Sequence, residues 1–90
     1  MSNTIEKLEL AMAALKPSHL TIQDDSALHA GHAGNTGGGH YTLTIASNEF
    51  EGLALIKRHR LVNAAAKELL ESEIHALSII AKTPAEFNKS

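Results

Sequence analysis

The chain has 90 residues, of which 43% are hydrophobic and 20% charged, and its formal net charge is −2 with histidine counted as neutral. This composition is that of one ordinary globular domain and argues against intrinsic disorder. No apolar run approaches the ~20 residues of a membrane-spanning helix, and the polar start lacks the features of a secretory signal. We therefore expect no membrane association and a location in the cytoplasm or, for a eukaryotic protein, in an organelle matrix.

The chain contains no cysteine but six histidines. A disulfide, a thiol nucleophile and an all-thiolate zinc or iron–sulfur site are therefore excluded for the chain alone. Any metal chemistry must rest on the histidines, and composition alone does not rank them. They are His19, His29, His32, His40, His59 and His75.

The first predicted element is a helix over residues 3–16. Apolar residues recur at helical spacing after Asn3, which is suited to cap the helix with Glu6 three residues later. Pro17 prevents the helix from continuing. The apolar positions are Ile5, Leu8, Met12 and Leu15.

Two strands are predicted over residues 19–23 and 40–46, where apolar residues alternate with polar ones. Each strand therefore has one apolar face. The segment between them, about residues 25–39, is too long and too rich in glycine for a tight hairpin turn. We predict a flexible loop there, which carries His29 and His32. His19 and His40 stand at the starts of the two strands, where surface placement explains them.

A second and longer helix is predicted after Gly52, ending near Ser72. Its apolar residues follow one helical face. They are Leu55, Val62, Ala66 and Leu69.

A third strand is predicted over residues 74–80. Alternation would place His75 on the same face of this strand as Leu77 and Ile79. Thr83 and Glu86 then have the spacing of a capping box around Pro84, which is typical of a short terminal helix.

The element order α-β-β-α-β-α indicates an α+β fold. Because each strand is apolar on one side only, we expect a small three-stranded mixed sheet with helices on one face. The chain is short enough that residues 1–90 should form a single domain.

The residues also resemble those of the BolA family of small stress-response and iron–sulfur proteins. Six blocks in order carry the resemblance, spanning about residues 20–87: Asp25-Ser26 with the histidines that follow, His40-Tyr41, Ser47 to Gly52, Lys57 to Val62, Ile74 to Ile79, and Thr83 to Glu86. The resemblance implies a BolA-like domain with a fold similar to class II KH domains.

The resemblance further implies a non-enzymatic adaptor in iron–sulfur cluster assembly, trafficking or sensing. Proteins of this kind are partners of monothiol glutaredoxins, with which they share a 2Fe-2S cluster. The glutaredoxin and a glutathione would each supply a sulfur ligand. In this chain His75 would be one further ligand and His29 the other, with His32 as the alternative from the same loop. Imidazole ligation of one iron is known chemistry for a 2Fe-2S centre.

The run Lys57, Arg58, His59 and Arg60 suggests an alternative function, that of a nucleic-acid-binding regulator of transcription. Cationic groups over one helical turn could contact phosphates, including those of DNA, but a short charge run is more often a solvated face. We therefore expect structural or solvent roles for these side chains.

No nucleophile and base stand out as a pair, so we expect no enzyme. For the free chain we expect a monomer or a weak homodimer.

Overall fold

The computed structural model describes residues 4–25 and 39–89. Within these ranges the chain forms four α-helices and a three-stranded sheet. The helices are α1 (Thr4–Met12), α2 (Leu55–Ala65), α3 (Lys67–Ser72) and α4 (Pro84–Lys89), and the strands are β1 (Pro17–Asp24), β2 (Gly39–Ser47) and β3 (Ile74–Lys82). Short 3-10 turns follow α1 at Ala13–Leu15 and β2 at Asn48–Phe50.

The sheet has the strand order β1-β2-β3, so β2 is central and β3 forms one edge. β1 pairs with β2 antiparallel, and β2 pairs with β3 parallel. A parallel pair needs a crossover connection, which α2 and α3 provide. The predicted α+β class and the mixed three-stranded sheet are confirmed.

The core lies between one face of the sheet and the helices. On β2 the alternation directs Tyr41, Leu43 and Ile45 to that face, and the last two are fully buried. Helix α1 packs on them through Leu8 and Met12 at helical spacing. The other core residues include Phe50, Val62, Ala66, Leu69 and Ile74. Most of the apolar positions predicted from periodicity therefore lie in the core, but Leu55, at the start of α2, is 62% exposed and was wrongly predicted to be buried.

The first predicted helix is shorter than expected, because α1 ends at Met12 and tightens into the 3-10 turn. Lys16 then adopts a left-handed conformation with φ 52°, and its N–H bonds to the Ala13 oxygen at 3.0 Å. Pro17, which cannot continue a helix, begins β1.

The predicted second helix is divided into α2 and α3 at Ala66, whose backbone lies at φ −98° and ψ 12°. Ala66 is fully buried, and the bend after it brings Leu69 into the core while α3 packs against β3. The sequence around the bend contains no glycine or proline, so nothing in it signals the break.

Helix α4 begins with the predicted capping box. The Glu86 N–H donates to the Thr83 Oγ1 at 3.2 Å, and the Thr83 N–H donates to the Glu86 Oε1 at 3.0 Å. Phe87 of this helix stacks on the His19 ring, with centroids 4.1 Å apart. Helix α4 is thereby anchored to the first strand.

No helix in the described ranges has the length and apolar character to cross a bilayer.

Candidate functional site

His75 lies at an irregularity in the edge strand β3. Gly39 pairs with Ile74 and His40 pairs with Ala76, so the register leaves His75 without an opposite residue on β2. Strict alternation would place His75 on the face of Leu77, but the irregularity interrupts it. Ile74 is 4% exposed, whereas His75 is exposed to solvent. An inserted residue of this kind commonly redirects a side chain at the margin of a sheet.

His40 is the side chain that the structure brings to His75. Their ring centroids lie 5.1 Å apart and the ring planes are inclined by 47°. From the sequence, His40 has no predicted role beyond a place at the start of a strand. Its place beside His75 follows from the pairing of β2 with β3, which no local sequence pattern specifies.

Asp25 fastens the end of β1 to the start of β2, close to this pair. Its backbone N–H donates to the His40 oxygen at 2.7 Å. Its carboxylate accepts hydrogen bonds from Gln23 Nε2 at 2.8 Å and from Thr42 Oγ1 at 2.5 Å. The backbone of His40 is therefore held on both sides, by β1 and by β3.

Glu73 fastens helix α1 to the start of β3. Its carboxylate accepts hydrogen bonds from Lys7 Nζ at 2.5 Å and from Thr4 Oγ1 at 2.8 Å. These two donors, Lys7 first, hold the pKa of the Glu73 carboxyl below its ordinary value. The Glu73 backbone oxygen also accepts from the Gly39 N–H at 3.0 Å. The residue two positions before His75 is thus tied both to a helix and to the neighbouring strand.

Position 39 requires a glycine because the Tyr41 side chain packs directly over it. A Cβ at this position would overlap the ring of Tyr41, which is 5% exposed and belongs to the core. The first residue of β2 therefore has no room for a side chain. The close approach of the aromatic ring positions the strand immediately before His40.

The two loop histidines, His29 and His32, lie outside the described residues, so their predicted roles stay predictions. The segment that carries them leaves the sheet after Asp25 and returns at Gly39. Both points lie at the end of the sheet where β3 begins, since Gly39 pairs with Ile74. Among residues 4–25 and 39–89, no group of three or more His, Cys, Asp or Glu side chains is arranged to hold a metal ion.

Arg58, from the basic run, points into the structure. Its Nε donates to the Leu53 oxygen at 2.8 Å, and its Nη1 donates to the Ala81 oxygen at 3.2 Å. It also forms an ion pair with Glu86, with Nη1 and Oε1 at 2.7 Å. Hydrogen bonds from Arg58 and then from the Thr83 N–H lower the pKa of the Glu86 carboxyl to about 2. Arg58 therefore has a structural role.

The other residues of the basic run do not meet the histidine pair. Lys57 and Arg60 are exposed, and His59 lines a groove of about 600 Å³ between α2 and the last residues of β3. Leu55 and Ile80, which are 62% and 43% exposed, also line it. The groove is at the carboxyl end of β3 and His75 is at the amino end, so the two predicted sites are separate.

The histidine pair offers two adjacent imidazoles at the margin of the sheet. Imidazole is a good ligand for zinc, copper, nickel and iron. An exposed ligand on an edge strand leaves space for a second protein to complete a coordination sphere. The structure therefore places two potential metal ligands side by side at the edge of the sheet.

Comparison with known protein families gives one match over most of the chain. Residues 12–86 match the family described as BolA-like protein. The match includes His40, His75 and the pair of Arg58 with Glu86.

The most similar relatives include two proteins of Arabidopsis thaliana. "Protein BOLA1, chloroplastic" is 49% identical over 76 residues, covering 80% of this chain and 48% of its own length. "SufE-like protein 1, chloroplastic/mitochondrial" is 47% identical over 87 residues, covering 90% of this chain and 23% of its own length. The chain thus spans about half of the first relative and about a quarter of the second.

The fold is also that of solved structures. The BolA domain of SufE1 from Arabidopsis thaliana superposes with a TM-score of 0.78 at 44% identity, covering 96% of each chain. BolA1 from Arabidopsis thaliana gives a TM-score of 0.80 at 38% identity, covering 96% of this chain and 98% of its own. The described part of the chain therefore has the fold of these BolA structures.

Proposed function

The chain belongs to the BolA-like protein family, and we propose that it is a non-enzymatic adaptor that binds a monothiol glutaredoxin and shares a 2Fe-2S cluster with it. The observation that carries the proposal is the exposure of His75 at the start of an edge strand. A histidine in an otherwise apolar strand is usually buried or bonded within the sheet. Here the irregular register leaves His75 exposed to solvent, which supports a role in contact with a partner.

The donor set of this chain fits such a cluster in part. An iron with two imidazole ligands is found in Rieske-type centres, where the reduction potential is higher than with thiolates alone. This chain has histidines but no cysteine, so both sulfur ligands would come from the glutaredoxin and a glutathione. Loss of the partner would then remove half of the ligands, which suits transfer or sensing of a cluster.

We assign His75 as one ligand and a loop histidine as the other, with His29 first and His32 as the alternative. Support for a loop ligand comes from Asp25 and Gly39, which place both ends of the segment at the end of the sheet where His75 lies.

The two carboxyl groups whose pKa is lowered both form structural contacts, which supports a non-enzymatic role. Glu73 is paired with Lys7 and Thr4, and Glu86 is paired with Arg58. A catalytic acid or base at neutral pH needs a pKa near 7, and both pairs shift the pKa in the opposite direction. Each carboxylate is therefore a structural anion.

For the location we propose an organelle matrix, with the cytoplasm as the alternative. Both Arabidopsis relatives are named as organelle proteins, chloroplastic in one case and chloroplastic or mitochondrial in the other.

The proposal is tested by anaerobic reconstitution of the chain with a monothiol glutaredoxin, glutathione, iron and sulfide. We expect the visible absorption and circular dichroism to differ from those of the glutaredoxin homodimer, and His75→Ala to abolish the difference. His59→Ala is the matched control, because it removes an imidazole from the other end of the molecule. A spectrum that the wild-type chain does not change would contradict the proposed function.

A further inference from the structure

We propose that His40 and His75 form a binding site for one divalent transition-metal ion of the zinc class, which the chain binds without a protein partner. This site is distinct from the proposed shared cluster, to which we assign His75 and a loop histidine. The observation behind it is the 5.1 Å separation of the two ring centroids.

The separation matches the geometry that a metal ion requires. Two imidazoles on one tetrahedral ion, each bound through a metal–nitrogen bond of about 2.0–2.1 Å, have ring centroids about 5 Å apart. The 47° inclination is neither that of a stacked pair nor that of a perpendicular pair. The two strands therefore already bring the rings to the separation that a shared ion requires.

The backbone on both sides of the site is already held. The His40 oxygen accepts from the Asp25 N–H at 2.7 Å, and the Gly39 N–H donates to the Glu73 oxygen at 3.0 Å. The sheet holds the backbone near both ligands, so the ordering cost of binding an ion falls mainly on the two side chains. The Tyr41 ring over Gly39 adds a packed support to the same strand.

The ligand types select the class of ion. Two neutral imidazoles suit zinc, copper and nickel, whereas calcium and magnesium prefer oxygen ligands. With two protein ligands, the remaining coordination positions are left to water or to a small anion. The bound ion is thus exchangeable, unlike the ion of a closed four-ligand structural site.

One consequence rests on the proposed function. Because His75 serves both sites, an ion held by His40 and His75 excludes His75 from the cluster. Zinc-class ions would then compete with cluster sharing.

The site is tested on the tag-free chain with Zn²⁺ alone as the probe. Side-chain NMR of nitrogen-15-labelled histidines identifies the responding rings, and calorimetry gives the affinity. We expect the His40 and His75 rings to respond together and to saturate at one ion per chain. His40→Ala and His75→Ala should each weaken binding at least about tenfold, which is the lower range for loss of a group that supports a metal. His59→Ala should bind as the wild type does.

The double variant His29→Ala/His32→Ala separates this site from one in the loop. Retained binding in that variant supports the assignment, whereas a response confined to His29 and His32 overturns it. Wild-type affinity in His40→Ala would also overturn it. Backbone amide spectra of α2 and β1 verify that each variant is folded.

The outcome is distinguishable from that of the glutaredoxin experiment. In one result, the chain binds Zn²⁺ at the pair and yet leaves the glutaredoxin spectrum unchanged. That result would support this site and contradict the proposed function. A glutaredoxin spectrum that depends on His75, in a chain without the Zn²⁺ response, contradicts this site alone.

Discussion

Arg58 and Glu86 form a two-point ion pair that ties α2 to α4. Nη1 donates to Oε1 at 2.7 Å, and Nη2 donates to Oε2 at 3.3 Å. The same guanidinium satisfies the backbone oxygens of Leu53 and Ala81, and Arg58 is only 8% exposed. One cation of the basic run therefore stabilises the junction of three elements.

Arg58→Ala should lower the free energy of unfolding by about 2 kcal/mol, because it leaves two backbone oxygens without their donor and removes a charged hydrogen bond. Lys57→Ala is the matched control, since Lys57 is exposed on the same helix, and it should change stability by less than about 0.5 kcal/mol. Chemical denaturation measures both. Equal effects of the two substitutions would contradict the structural role of Arg58.

Stability should fall with acid through Glu86. Its carboxyl has a pKa of about 2 in the folded chain and an ordinary value of 4.5, so the unfolded chain binds more protons between these values. The contribution of Glu86 is therefore complete above about pH 4.5 and is lost as the pH falls towards 2. Glu73, whose pKa is also lowered, acts in the same direction.

Denaturation curves between about pH 6 and about pH 3 check this, with Glu86→Gln as the comparison. The variant should be less stable near neutral pH and should lose less stability on acidification. An identical pH slope in the two chains would exclude Glu86 as a source of the acid sensitivity.

Gly39→Ala should disturb the histidine pair without touching either ring. The new methyl group would overlap the Tyr41 ring, and such overpacking typically costs about 1–3 kcal/mol. Gly52→Ala is the control, since Gly52 has φ 76° and open space around its Cα, so only backbone strain of about 1–2 kcal/mol is expected. The ring NMR signals of His40 and His75 should move in the first variant and stay in place in the second. Unchanged signals in Gly39→Ala would show that the glycine does not position the pair.

Nucleic-acid binding by the basic run should be weak and dependent on salt. With Arg58 in the Glu86 pair, Lys57 and Arg60 are the exposed cations of the run, and each phosphate contact contributes a modest salt-dependent term. Fluorescence anisotropy with duplex DNA should show no binding at about 0.15 M salt. Tight binding there, abolished in Lys57→Ala/Arg60→Ala, would favour the transcription-regulator alternative.

Most of the fold could be predicted because it follows from short-range periodicity. The spacing of Leu8 and Met12, and the alternation of Leu43 and Ile45, each specify which side of an element is buried. The capping box at Thr83 is equally local, as it spans three residues. The bend at Ala66 could not be predicted, since alanine fits both a straight helix and a break, and packing decides between them.

The candidate site was less predictable because it depends on pairing between distant segments. Parity alone places His75 on the buried face, and only the family resemblance gave it a functional role. The adjacency of His40 arises from a one-residue shift in the register of a parallel pair. Likewise, Arg58 looks like its cationic neighbours in the sequence, and its partner Glu86 is 28 positions away.

Pulsed EPR can show whether this chain supplies a histidine ligand to a shared cluster. The chain would carry nitrogen-15 in its histidines, the glutaredoxin would be unlabelled, and the reconstituted cluster would be reduced. We expect strong coupling of the reduced cluster to two nitrogen-15 nuclei, one from His75 and one from a loop histidine. The coupling from His75 should be lost in His75→Ala, and both couplings should be retained in His59→Ala. A reduced cluster without nitrogen-15 coupling, or with the same couplings in His75→Ala as in the wild type, would exclude His75 as a ligand.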